Sequence, residues 1–195
     1  MLFNQAKFLF TLVALMGLLT SVMGVTLHQY TRPNCHGKRA TCTSLRDRAC
    51  CQSRRSFTSG SCQGCTSTDF HLTWTFANRK HCGHNSRSTN GGRCIGGSSN
   101  LRGHSWCRLC RTSVDQLGEA QSEDVSNEAT CTSTVEPSLL EIGSKWYQLN
   151  DSMAAEHKEA LWDLWEKEVE DNEVDSHLQV YASDVNGSVD NAMEA

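Results

Sequence analysis

Two Cys-x-x-Cys pairs, Cys62-Gln63-Gly64-Cys65 and Cys107-Arg108-Leu109-Cys110, carry the spacing that most directly implies chemistry. Four thiolates in two such pairs can hold zinc, and His81 and His84, on either side of Cys82, offer imidazole nitrogens to the same ion. Oxidised, the same sulfurs are staples. No βαβ pattern surrounds either pair, which argues against a thioredoxin-like redox site. No GxSxG, HExxH or framed carboxylate pair is present, and no catalytic residue is assigned; an extracellular hydrolase is the weakest reading.

The compartment decides between metal and staple. Residues 1–24 have the layout of a cleaved leader: Lys7 in the n-region, an apolar run from Phe8 to Leu19, and the small-x-small site Val22-Met23-Gly24. The run is shorter than the roughly 20 residues a membrane span needs, and no later segment is apolar enough to be one. A secreted chain meets oxidising conditions, so disulfides are expected and zinc is the alternative. Ten of the eleven cysteines, Cys35, Cys42, Cys50, Cys51, Cys62, Cys65, Cys82, Cys94, Cys107 and Cys110, fall in one block. An even number in a compact block is expected to close into five bridges whose pairing spacing cannot choose. Cys50 and Cys51 are adjacent, so on an extended chain they face opposite ways and should reach different partners. Cys131 is left over, as a free thiol or an intermolecular bridge in a dimer.

Basic pairs are the second chemical feature: Lys38-Arg39, Arg54-Arg55 and Arg79-Lys80. They offer a surface to a host protein, an anionic surface polymer or nucleic acid. Residues 25–112 hold fourteen Lys and Arg against two Asp and Glu, whereas residues 113–195 hold three against twenty. The opposing charges also predict that the basic block and the acidic tail pair with each other. Two sequons, Asn150-Asp151-Ser152 and Asn186-Gly187-Ser188, are candidate glycosylation sites, Asn186 being the better acceptor.

The elements that must position these groups are mainly β. Phe70, Leu72, Trp74 and Phe76 alternate with His71, Thr73 and Thr75, which predicts a strand with an apolar face inward and a polar face outward. Large apolar residues are few in residues 25–112, so the basic domain is expected to rely on disulfides in place of a large core. Residues 113–136 are polar and predict a linker. For residues 137–182 an acidic amphipathic helical region is expected. Ser138 with Glu141 matches a capping box, and Leu139, Ile142, Trp146, Leu149 and Met153, then Ala160, Leu161, Leu164, Trp165 and Val169, recur at helical spacing. Residues 183–195 are expected to be a disordered tail. The fold class is therefore a small disulfide-rich, mainly β domain followed by an acidic, partly helical C-terminal extension.

Tyr30-Thr31-Arg32-Pro33-Asn34-Cys35-His36-Gly37 and Phe76-Ala77-Asn78-Arg79-Lys80-His81-Cys82-Gly83 resemble the signature of βγ-crystallin-type Greek keys, with Cys35 and His81 where that family has its second aromatic. The resemblance implies a tight fold-over in which Gly37 and Gly83 take a conformation closed to other residues. The leader, Tyr30…Cys35-x-Gly37, Cys42, the Cys50-Cys51 doublet and the closing Cys107-x-x-Cys110 are together similar to small secreted cysteine-rich proteins of basidiomycete fungi, including candidate effectors of rust fungi. That resemblance implies a secreted or host-delivered virulence protein that acts by binding and can suppress host defence; some of its members hold zinc through similar cysteines. An antimicrobial, killer-toxin-like protein masked by its acidic segment is the alternative.

Overall fold

The computed structural model describes residues 24–108, 110 and 131–183. Residues 1–23 of the expected leader, residues 113–130 of the expected linker, and the expected tail after Ser183, Asn186 included, lie outside the described residues. Among the described residues the fold has ten strands, one α-helix and three short 3-10 turns. The strands are β1 (Val25–Arg32), β2 (His36–Leu45), β3 (Ala49–Gln63), β4 (Asp69–Ala77), β5 (Lys80–Asn90), β6 (Ile95–Arg108), β7 (Ser133–Val135), β8 (Leu139–Ile142), β9 (Lys145–Gln148) and β10 (Ala182–Ser183). The helix, α1, is Ala155–Lys167.

The strands follow the order β10-β9-β8-β2-β1-β3-β6-β4-β5 in one sheet, antiparallel throughout this path. The short β7 pairs in parallel with the start of β3, Ala49 opposite Ser133. Both stretches with the crystallin-type spacing form hairpins, β1–β2 and β4–β5. Gly37 takes a φ of +82°, as the tight turn requires. Gly83 does not share that conformation; its missing side chain instead lets the Ala77 backbone pass close by.

The C-terminal region departs from the expected helix in its first half. Leu139 to Met153 is not one helical stripe but the hairpin β8–β9 and the turn after it. The Gly143-Ser144 turn explains the difference, because Gly143 sits at a φ of +58° and reverses the chain in two residues. Leu140, Ile142 and Tyr147 point inward from the hairpin and are fully buried. Ser138 caps no helix; its N–H donates to the Thr41 carbonyl at 2.9 Å and its carbonyl accepts from Leu149. β8 then extends the sheet beside β2, with Leu140 opposite Ala40. The second half of the stripe is helical: α1 buries Leu161, Trp162 and Trp165. Glu168 ends it in the left-handed conformation at a φ of 51°, its N–H bonding back to Leu164 and Trp165.

This region also changes where the core sits. The largest apolar cluster joins Ala40, Phe57 and Leu101 of the basic block to Leu140, Ile142, Tyr147, Leu149, Met153, Leu161, Trp162, Trp165, Val174 and Leu178. The basic block does not rely on sulfur alone; the acidic region supplies most of the apolar surface that covers one face of its sheet. A second cluster, Val25, Leu27, Cys42, Leu45, Cys51, Cys62 and Trp106 among its members, fills the space around β1–β3. A third gathers Cys50, Leu72, Trp74, Cys107 and Cys110.

β4 is covered on both faces, not on one. Leu72 and Trp74 face the third cluster, while His71 and Thr73 on the alternate side are equally buried. Phe76, expected inside, is 55% exposed because the strand has by then left the cover of its neighbours and runs into the hairpin tip.

Five bridges close: Cys35–Cys94, Cys42–Cys51, Cys50–Cys82, Cys62–Cys65 and Cys107–Cys110. Cys50 and Cys51 reach different partners, as their opposite directions require. The bridges are unequal. Cys35–Cys94 spans 59 residues and restricts the unfolded chain by about 4 kcal/mol, whereas the two three-residue loops restrict it by only about 2 kcal/mol each. Cys50–Cys82 ties β3 to β5 across two intervening strands, and Gly103 of β6 makes room for it: a methyl group there would collide with both sulfurs.

Candidate binding surface

The six basic residues singled out from sequence divide into two groups with opposite environments. Lys38, Arg39, Arg54 and Arg55 are engaged by the acidic region. The Lys38 ammonium donates to the Gly143 carbonyl. Arg39 donates to Glu141 at 2.8 Å and stacks over the Trp146 ring at 4.8 Å. Arg54 bridges Glu136, at 3.0 Å, and Glu159. Arg55 meets Glu159 at 3.0 Å, Asp163, and Glu166 at 3.5 Å. Arg32, on the neighbouring strand end, pairs with Glu168. Hydrogen bonding from Arg54 holds the Glu159 carboxyl below its usual range, against a smaller opposing effect of burial. The charge asymmetry in the sequence is thus met within the molecule at Arg32, Arg39, Arg54 and Arg55, each paired with a carboxylate of the acidic region, while Lys38 bonds to a carbonyl there.

Arg79 and Lys80 stand apart. They form the tip of the β4–β5 hairpin and are exposed, with Phe76 exposed beside them. β5 is the last strand of the sheet, so its outer edge has no neighbour among the described residues. Along it His84 and Arg87 are exposed, opposite Thr75 and Thr73 of β4, and Arg93 is exposed in the turn leading to β6. Among the described residues no carboxylate forms an ion pair with Arg79, Lys80, Arg87 or Arg93. Arg87 and Arg93 were not singled out from sequence. The signal that points to them is that no Asp or Glu occurs between Phe70 and Thr112.

The residues considered for zinc do not converge. Cys62 and Cys65 close on each other at the end of β3, with Cα atoms 5.6 Å apart, and Cys107 and Cys110 do so after β6 at 5.8 Å. His81 donates its Nδ1 proton to the Ser53 carbonyl at 2.9 Å and meets the Phe76 ring edge-on; His84 points outward on β5. The short Cys-x-x-Cys loops favour closure within each pair, which consumes the thiolates a metal would need. Among the described residues three sulfurs do gather, Cys50, Cys82 and Cys131, all within 4.8 Å of one another. Two of them are already bonded. Burial pushes the Cys131 thiol up to about 11, against a smaller opposing hydrogen bond from Ser105. Cys131 is half-buried beside the Cys50–Cys82 bridge.

A buried imidazole pair backs the hairpin. His71 Nε2–H donates to the Arg93 carbonyl at 2.8 Å, which leaves Nδ1 of the neutral ring to accept from His104 Nε2–H at 2.9 Å. Desolvation lowers His71 to about 4 and, together with the charges of His71 and His28, pushes His104 well down. The pair is therefore neutral at neutral pH and serves to pin the Arg93 turn to β4 and β6. Of the sequons, Asn150 is exposed, but its side chain is occupied as the acceptor for the Ser152 N–H at 3.0 Å and hydroxyl at 2.6 Å. No helix of the described residues is long and apolar enough to cross a membrane. Comparison with protein-family models, with curated proteins and with solved structures found no match to this chain.

Proposed function

We propose that this is a secreted, non-enzymatic, effector-like binding protein whose recognition surface is the β4–β5 hairpin and its outer edge. Its target is an anionic polymer or an acidic protein surface of a host. One observation carries the reading: Arg79, Lys80, Arg87 and Arg93 are exposed together with Phe76 and pair with no described carboxylate, while Arg32, Arg39, Arg54 and Arg55 of the same sheet each pair with carboxylates of the acidic region. Unpaired cations on a rigid, bridged frame attract anions without first having to release an internal partner, and an exposed ring adds contact area. The leader and the cysteine layout support secretion. Their likeness to rust-type secreted proteins supports a host target, and host-defence suppression is the role proposed for it there.

The test is binding to polygalacturonate, with duplex DNA as a phosphate-bearing comparison. Arg79→Glu/Lys80→Glu is expected to weaken binding at least tenfold at low salt, and binding by the unaltered protein is expected to fall steeply with added salt. Equal binding by the double variant would refute the assignment.

A tail that masks a toxin is favoured by the ion pairs to Arg32, Arg39, Arg54 and Arg55. Removing that tail would, however, uncover Phe57, Leu101 and Ala40, so the masking reading requires that residues 25–112 inhibit growth as a folded fragment.

A further inference from the structure

The odd cysteine is neither remote nor isolated. Cys131 lies two residues before β7, which runs parallel to the start of β3 with Thr134 opposite Cys50. Its sulfur sits within 4.8 Å of both sulfurs of the Cys50–Cys82 bridge. Cys50 is fully buried on β3, whereas Cys82, on the edge strand β5, and Cys131 are each partly buried. A thiol and a disulfide held at this range by two strands and the segment leading into a third need only a small movement to react.

We propose that Cys131 and the Cys50–Cys82 bridge form an internal thiol–disulfide exchange site that transfers the chain's odd thiol to the edge strand. The Cys131 thiolate, having given its proton to solvent, attacks Sγ of Cys50. The Cys131–Cys50 bond forms, the Cys50–Cys82 bond breaks, and Cys82 leaves as a thiolate that takes up a proton. One thiol and one bridge exist before and after, so no external oxidant or reductant enters. The raised Cys131 thiol makes the reaction slow at neutral pH and faster as pH rises. Cys50 is the target because it lies on β3, which pairs with β7 just after Cys131, and because the sulfur it releases belongs to the edge strand β5.

The exchange has a structural consequence. Cys50–Cys82 is the bridge that ties β5 back to β3. Once it is exchanged, β5 is held by its ladder with β4, and a free thiol stands at Cys82, two residues from Lys80. The chemistry does not depend on the hairpin binding an anion, and either reading can fail without the other.

The experiment maps the free thiol on the full secreted chain. The protein is held at pH 9, quenched with acid, denatured, labelled with N-ethylmaleimide at acidic pH, and digested without reduction. Two positional isomers are expected: Cys131 labelled with a Cys50–Cys82 peptide, and Cys82 labelled with a Cys50–Cys131 peptide. Label confined to Cys131 after the pH 9 incubation would overturn the proposal. Cys82→Ser gives an independent reading. It is expected to close a Cys50–Cys131 bridge and leave no free thiol, whereas two labelled cysteines at Cys50 and Cys131 would count against the exchange. If this variant does not fold, the map of the unaltered chain decides alone.

Discussion

Protonating His71 would disrupt the chain of hydrogen bonds that fixes the Arg93 turn, because the ring's Nδ1 is the acceptor for His104. Its folded pKa, about 4, lies below the ordinary 6.5 of a histidine. The unfolded chain therefore binds the proton more readily, and the stability contributed by the neutral ring is complete above about pH 6.5 and lost as pH falls toward 4. The shift corresponds to roughly 3 kcal/mol over that interval. Urea midpoints should thus drop between pH 7 and 4, and His71→Gln should flatten that dependence; an unchanged midpoint would show that the pair is not buried and neutral. Further acidification adds a second loss. Glu159 is held low chiefly by its hydrogen bond to Arg54, so its contribution is present above the usual carboxylate range and disappears as pH falls through its folded value. Neither group was legible from sequence. His71 was expected on the solvent face of an alternating strand, and only the second covering layer reverses that. The partners of Arg54 lie 82 and 105 residues away, a distance over which spacing carries no pairing information.

At the scale of elements, the contact between α1 and the sheet combines charge with burial, and their magnitudes decide which holds it. Arg55 meets three carboxylates whose side chains are about half exposed, so each pair contributes little in water. Arg55→Ala is expected to lower stability by about 1 kcal/mol, and by less in high salt. Trp165, by contrast, is fully buried and packs edge-to-face on Trp162. Trp165→Ala should cost about 3–5 kcal/mol in denaturant unfolding. A larger loss from Arg55 than from Trp165 would reverse this ranking. The same elements show where patterning informs and where it misleads. Ala160 to Val169 has a helical stripe and no turn residue, and its helix forms through Lys167. Leu139 to Met153 has apolar spacing compatible with a helix, but Gly143-Ser144 provides a hairpin turn, and the open edge of β2 offers a strand to pair with. Local turn chemistry and an available edge outweighed periodicity. β4 likewise formed where alternation predicted it.

For the whole molecule, the acidic region completes the basic block in two ways: it covers an apolar face and it neutralises one flank. A chain ending at residue 112 would expose Phe57 and Leu101 to water. It should lose the sharp, cooperative thermal transition of the full chain even with its bridges intact; retention of that transition would mean that the disulfides suffice. The mainly β, disulfide-rich class was legible from cysteine number and strand alternation. The completed core was not, because its largest side chains belong to a segment whose composition is dominated by acids.

The central claim is that charge is partitioned, with one basic flank closed by the chain's own carboxylates and the β4–β5 flank left open. Backbone amide NMR of the full chain titrated with polygalacturonate tests it most directly. The account predicts shifts concentrated in residues 76–93, with the amides of Arg54 and Arg55 unmoved. Shifts centred on Arg54, Arg55 and α1, with the hairpin silent, would contradict it.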